Sequence, residues 1–407
     1  MTQHYDVAIV GGGPAGAAAA WQAAQTGARV VVFDKAQFPR DKPCGDGLTP
    51  RAVSFIQKMG LAEQVAKFHR VNRATVYSPN RWDLAFPDRP GMPDHGHVAR
   101  RLELDLMLLD RAEYCGAEVR RGAEVASAIV DDRGRVCGVV LKSGERVRAD
   151  AVIAADGAHS PLKRTLNLTS RYNGYAAIAI RAEMTANRPD VDSLDVHLQL
   201  KFRGDQLPGY GWVFPLGGGR VNIGLGYVNS YKKWHQINAT ELLGQFLADL
   251  PADWQLPTTH ELMKAKALQA WRLPMGFTTW PPWRPGVLFA GDALGAARPA
   301  SGAGISKALQ SGLAAGECAI AALTNGGPDD FTNYTQRVEE AWGTEYRRGR
   351  WFHKMVGIPA IASAGLHVLD AVGNPSFRAR MLFWEQWTDP RRESPGACDT
   401  HTSRRNC

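Results

Sequence analysis

The residues best suited to chemistry in this chain begin at Gly11, Gly13 and Gly16, which satisfy G-x-G-x-x-G around Pro14 and Ala15. Gly11 permits a tight turn, Gly13 lets backbone approach a pyrophosphate, and Gly16 lets a helix close on a strand. A helix starting there offers free N–H groups and the positive end of its dipole to phosphate oxygens. Asp34 ends the following strand, where an acidic side chain bonds ribose hydroxyls. Together these residues predict an ADP-containing dinucleotide at the amino end. Two more acid–glycine pairs, Asp156-Gly157 and Gly291-Asp292, stand far downstream. Cys44 lies in a loop with Arg40, Lys42 and Gly45. Its thiol is read as partly electropositive, a proton donor or a substrate contact, against the plainer reading of a small buried residue. Tyr210, Trp212 and Phe214 alternate just before Pro215. On a strand they share one face, either as ordinary sheet core or as a wall for an apolar ligand.

These positions sit at the ends of recognisable elements. Residues 6–10 are β-rich, an alanine-rich helix follows the glycines, and 28–34 is a second strand, which makes one βαβ unit. The spacing of apolar residues predicts helices over 51–68, 101–116 and 304–323, and a mostly helical chain from 329. Strands are expected at 74–77 and 82–86, a hairpin at 136–141 and 146–155, alternating strands through 175–230, and a buried strand at 287–290. Parallel strands present ligands at their carboxyl ends. The three glycine-bearing strand ends are therefore expected to converge. Residues 389–407 read as disordered.

The 407 residues carry a formal net charge of +8, but the basic residues are spread along the chain. Nucleic acid is therefore excluded as a partner, and an anionic cofactor or a membrane surface accounts for the balance. Six cysteines show no C-x-x-C and no zinc spacing, which points to reduced thiols, no metal and a cytoplasmic protein. The first residues run straight into a strand, with no room for a signal peptide. The longest apolar run, 355–366, is too short to span a bilayer. His95 and His97 read as solvated loop residues, and His159 as a neighbour of the cofactor.

The glycine fingerprint and the two later acid–glycine strand ends resemble the FAD-dependent oxidoreductases of the p-hydroxybenzoate-hydroxylase type. Two further stretches, PRDKPCGDGLTPR at 39–51 and LPGYGWVFP at 207–215 followed by VNIGLG at 221–226, narrow the resemblance to the geranylgeranyl and menaquinone reductases. That resemblance implies an α/β fold, α+β overall. A Rossmann-like FAD-binding domain would be assembled from 1–70, 95–165 and 285–325. An antiparallel-sheet substrate domain (71–94 and 166–284) would be interleaved with it, followed by a helical region at 326–388.

By the same resemblance, Gly11, Gly13, Pro14, Ala15, Gly16 and Asp34 hold the ADP half of FAD, with Lys35, Arg40, Cys44 and Gly45 bordering the cofactor. Arg101 pairs with the pyrophosphate and Asp156-Gly157 lies near it. Gly291-Asp292 meets the ribityl chain, and Pro299, Gly302, Gly304 and Ile305 run along the isoalloxazine. The implied reaction is reduction of an isoprenoid double bond by hydride from reduced flavin. Cys44, Tyr210 and Trp212 would be catalytic, and a prenyl lipid would lie against Tyr210, Trp212, Phe214 and Pro215. NAD(P)H or ferredoxin would be the external reductant. Two positions depart from the pattern: Ala303 stands where these reductases carry an acid, with Lys307 further on, and Phe277 replaces a glycine. That version is closer to flavin hydroxylases and keeps open an FAD monooxygenase acting on an aromatic or polyketide-like substrate. Residues 346–355 and 377–387 mix basic and aromatic side chains, suited either to a charged helix with a buried stripe or to peripheral membrane contact.

Overall fold

A computed structural model describes residues 4–371, apart from 79, 87, 169–174, 325, 326 and 328. The tail at 389–407 and the run at 377–387 lie outside the described residues. The strand His4–Val10 lies between Val30–Asp34 and Arg146–Ala154, and the latter pairs onward with Val287–Phe289, all in parallel. Val7, Ala8, Ile9, Val31, Val32 and Ile153 are fully buried, as expected of a parallel sheet covered on both faces. The helix Pro14–Ala24 is rich in alanine because it is squeezed between this sheet and the helix Ile305–Thr324. A Cβ on Gly312 would lie 2.1 Å from the Ala15 carbonyl oxygen, and one on Gly316 would lie 2.6 Å from that of Ala19. Only glycine lets the two helices approach this closely.

The single helix expected over 51–68 is instead two, Pro50–Lys58 and Ala62–Val65. Gly60, at φ 78°, turns the chain between them, as left-handed glycines do at helix ends. The histidine pair also differs from expectation. His97 is buried in the strand Gly96–Val98, with Nδ1 at 3.0 Å from the Phe68 carbonyl oxygen. Burial holds its pKa below the ordinary histidine value.

A second sheet runs in the spatial order Gln269–Pro274, Ala176–Thr185, Arg220–Val228, Gly209–Gly217, Ser193–His197, Arg73–Tyr77, Arg81–Ala85. Its strands alternate between two faces. Val213, Ile223, Leu225 and Ile180 join Leu242, Leu243 and Phe246 of the helix Ala239–Ala248 in a separate core. The opposite face is turned toward the first sheet. The segment after Gln269–Pro274 stitches the two sheets together: Met275 bridges Ala297, and the Phe277 N–H donates to the Gly295 carbonyl at 2.9 Å. The helices Thr344–Val356 and Pro359–Ala371 complete the described chain. Among the described residues no helix is long and apolar enough to cross a membrane.

Candidate functional site

A continuous cavity of about 1320 Å³ is lined by the carboxyl ends of the parallel strands and by the inner face of the second sheet. Gly11, Gly13, Pro14, Ala15, Asp34, Lys35, Arg40, Cys44, Gly45, Arg101, Asp156, Gly157, Gly291, Asp292, Pro299, Gly302, Gly304 and Ile305 all border it, as do Tyr210, Trp212 and Phe214. Gly16 and Pro215 do not. Gly16 works one layer back, where a Cβ would fall 1.7 Å from the Gly11 carbonyl oxygen. Pro215 corrects the substrate assignment: it follows Phe214 on the strand, so period-two alternation carries it to the other face.

Around the glycine turn, a second acid that sequence reasoning missed does the positioning. Asp105 accepts from Arg101 Nε and Nη2, both at 2.7 Å, and pairs with Arg40 Nη1 at 2.7 Å. Burial disfavours the Arg101 charge, but Asp105 outweighs it and raises the pKa. The spacing of Arg101 and Asp105 on one helix face was legible; that Arg40 would join them was not. A Cβ on Gly13 would meet Arg40 Nη2 at 3.5 Å and Arg101 Nη2 at 3.8 Å, so both guanidinium groups crowd the turn where a diphosphate would lie. Asp34 accepts the Gly12 N–H at 2.7 Å and the Ala36 N–H at 2.8 Å, which fixes the acid at the strand end. Asp156 accepts from Ser160 Oγ at 2.8 Å, while its Oδ1 is buried with no hydrogen-bond partner among the described residues. Burial pushes its pKa up to about 6.

Farther along the cavity, Asp292 pairs with Lys42 Nζ at 2.9 Å. Burial raises the Asp292 pKa, but the Lys42 charge prevails and the net shift is downward. Asp41, beside Lys42, accepts from Arg181 and from Gln269, each at 2.8 Å, which pins the 39–51 loop to the second sheet. His159 stacks edge-on to Trp271, with centroids 5.1 Å apart.

Of the two readings of Cys44, the electropositive thiol is the one its surroundings do not favour. Burial, then the nearby Asp46 carboxyl, push its pKa up, so it is a neutral S–H. Trp212 and Phe214 stand beside it: Cβ atoms on Gly45 and Gly47 would lie 3.3 Å from Trp212 Nε1 and 3.2 Å from Phe214 Cε2. Tyr210 Oη donates to the Ser301 carbonyl at 2.6 Å, and burial pushes its pKa up to about 12. Asn222, fully buried, accepts from Trp212 Nε1 at 2.9 Å and donates to the Cys44 carbonyl at 2.8 Å and to Asp46 Oδ2 at 2.7 Å. The VNIGLG run does not by itself single out this residue, because a polar side chain on a strand carries no sign of its partners.

The cradle fits FAD: its glycine turn is close to two guanidinium groups, it holds an unpaired buried acid oxygen on Asp156, and it opens into an apolar chamber. An FAD binding domain family model matches residues 4–344. A menaquinone reductase of Mycolicibacterium smegmatis is 36% identical over 355 residues, covering 86% of this chain and 83% of that protein. The chain belongs to the FAD-dependent reductase family of menaquinone and geranylgeranyl reductases. Digeranylgeranylglycerophospholipid reductase 2 of Methanopyrus kandleri is 30% identical over 355 residues, covering 84% of this chain and 83% of its own length. The crystal structure of a geranylgeranyl bacteriochlorophyll reductase-like protein from Thermoplasma acidophilum superposes with a TM-score of 0.79 at 23% identity, over 95% of this chain and 98% of that one. It shares the fold. FAD is the cofactor of this family member, and the enzyme is an oxidoreductase.

The departures from the reductase pattern gather against one segment, 339–356. Phe277, at φ 63°, packs on Tyr346 with centroids 4.3 Å apart and on Trp342 at 6.0 Å. A bulky side chain is costly in left-handed backbone, and this aromatic cluster offsets the cost. Lys307 is fully buried, with Nζ 3.6 Å from Glu345 and 5.1 Å from the centre of the Trp342 ring. Glu345 also pairs with Arg298, and both border the cavity near Ala303.

Proposed function

We propose that this enzyme reduces an isoprenoid carbon–carbon double bond in a prenyl lipid such as a polyprenyl quinone. The observation that carries this reading is the inner face of the second sheet. From Tyr210, Trp212 and Phe214 an apolar wall continues through Leu194, Val196 and Leu198 to Ala74 and Val76, in the same cavity as the cofactor cradle. Burial and shape supply most of the binding of a hydrocarbon chain. FAD, when bound and reduced, supplies the hydride. The chain's own residues hold the alkene and exclude water. The neutral Cys44 thiol holds a proton at Sγ, Trp212 and Phe214 fix the plane of the alkene, and Tyr210 ties the sheet to the loop before Ile305. The reductant is external, NAD(P)H or ferredoxin.

The helices Thr344–Val356 and Pro359–Ala371 support delivery of the substrate from a membrane. Phe352, Val356, Leu366 and Val368 border the cavity. Trp351, Ile358 and Val368 are 65%, 50% and 62% exposed, and Arg347, Arg348 and Lys354 are exposed among them. Apolar side chains ringed by cations suit an anionic bilayer surface.

The test is anaerobic. The reduced holoenzyme should be reoxidised by a prenyl quinone or geranylgeranyl lipid without oxygen, and mass spectrometry should find the hydrogenated product. If reoxidation instead requires oxygen, passes through a hydroperoxide-type spectrum and yields an oxygenated product, the enzyme is an FAD monooxygenase and the reductase reading fails.

A further inference from the structure

Asp46 is fully buried and adopts φ 63° between two glycines. Its Oδ2 accepts from Asn222 at 2.7 Å, and its Oδ1 has no hydrogen-bond partner among the described residues. Its own N–H donates to Cys44 Sγ at 3.3 Å, and its carbonyl accepts the Ala99 N–H at 2.9 Å. Through Asn222 the carboxyl shares one junction with the Cys44 backbone and the Trp212 indole. The ionisable groups around it are Arg101 on the helix Arg101–Tyr114, Arg181 and Glu183 on Ala176–Thr185, and Cys44 in its own loop. A buried carboxylate with one bare oxygen is costly, so the neutral acid is favoured. Burial dominates over the two guanidinium groups and pushes the pKa up to about 7.

We propose that Asp46 is the proton reserve of this site, returning to Cys44 the proton that reduction consumes. The proposal rests on the reductase reading and deepens it. As hydride from the reduced flavin adds to one alkene carbon, the Cys44 S–H gives its proton to the other. With FAD bound and reduced, the π bond, the S–H bond and the bond that held the hydride would break and two C–H bonds would form, the alkene being reduced and the flavin oxidised. The thiolate left behind lies in a buried site beside an acid, where two anions are mutually unfavourable. No hydrogen bond joins the carboxyl to Sγ at rest, Oδ1 being without a partner among the described residues. The thiolate therefore takes the Asp46 proton through water admitted as product leaves, and the carboxylate is reprotonated by the same route. Asp46 is thus a positioning and relay residue, and Cys44 is the group facing the cavity.

Difference infrared spectroscopy of the holoenzyme tests the resting state without substrate. A protonated-carboxyl C=O band should vanish on raising the pH, with a midpoint near the value given above, and should be missing in Asp46→Asn. Asparagine suits left-handed backbone and keeps an acceptor for Asn222. With prenyl substrate and excess reductant, the variant's first turnover should match wild type, because Cys44 is already loaded. Later turnovers should slow by roughly tenfold or more. In wild type the steady-state rate should fall, and its solvent isotope effect rise, at the same pH at which the band disappears, a measurement that needs no variant. An ionised Asp46 well below neutral pH, or a variant with unchanged steady-state turnover and pH profile, overturns the proposal. If wild type fails even the first turnover while the band behaves as described, the reductase reading has failed and takes the relay with it.

Discussion

The Tyr210 hydroxyl donates to the Ser301 carbonyl across 2.6 Å, joining the aromatic strand to the loop that precedes the helix Ile305–Thr324. That bond leaves the phenol little freedom to act as an acid. Tyr210→Phe should therefore cost about 1 kcal/mol of stability, the worth of one intramolecular hydrogen bond, as read by urea denaturation. Its turnover should stay within about tenfold of wild type; a drop of about a thousandfold, in the range of general acid–base catalysis, would show that the phenol donates a proton after all.

Asp105 anchors both Arg40 and Arg101 from a fully buried position. Removing one partner from a buried ion pair costs about 3–5 kcal/mol. Asp105→Ala should lose stability on that scale and bind FAD at least an order of magnitude more weakly by fluorescence titration. An unchanged FAD affinity would show that the two guanidinium groups do not serve the diphosphate.

Gly224 lies beneath the indole of Trp212: an added Cβ would come within 2.4 Å of Trp212 Cζ2 and within 2.4 Å of the Ile180 carbonyl oxygen. Gly224→Ala should destabilise by about 1–3 kcal/mol, as overpacked cores do. It should also alter the near-ultraviolet dichroism as the indole shifts. Turnover should fall more than FAD affinity does.

Asp156 carries a raised pKa, about 6, because burial disfavours its charge. An acid whose pKa is raised on folding contributes stability that is full below its unfolded pKa of about 4 and is lost as pH climbs through the folded value. For Asp156 this amounts to about 3 kcal/mol between roughly pH 4 and 6. In the FAD-free protein, Asp156→Asn should flatten that part of the stability–pH profile. A variant that parallels wild type throughout would refute the assignment.

The amino-terminal βαβ unit, the parallel core strands and the convergence of three distant strand ends were legible in the sequence. They follow from local rules: glycines at a turn, period-two and helical spacing, and the habit of parallel strands to bind at their carboxyl ends. The aromatic alternation of Tyr210, Trp212 and Phe214 was legible for the same reason, and that rule also removes Pro215 from their face. The break at Gly60 and the burial of His97 were not, since both depend on what packs against them. Likewise, the neighbours of Cys44 in sequence are cations, but its neighbour in space is Asp46, whose carboxyl burial pushes toward the neutral form.

Sequence alone marked out the glycine turn, because backbone approach to a dinucleotide demands glycine at fixed spacings. Tertiary structure alone decided the electrostatics. Asp105 with Arg40, Asn222 with Asp46, and Glu345 with Arg298 and Lys307 are pairings across long stretches of chain. Only the fold sets the distances, and the water excluded around them, on which such charges depend.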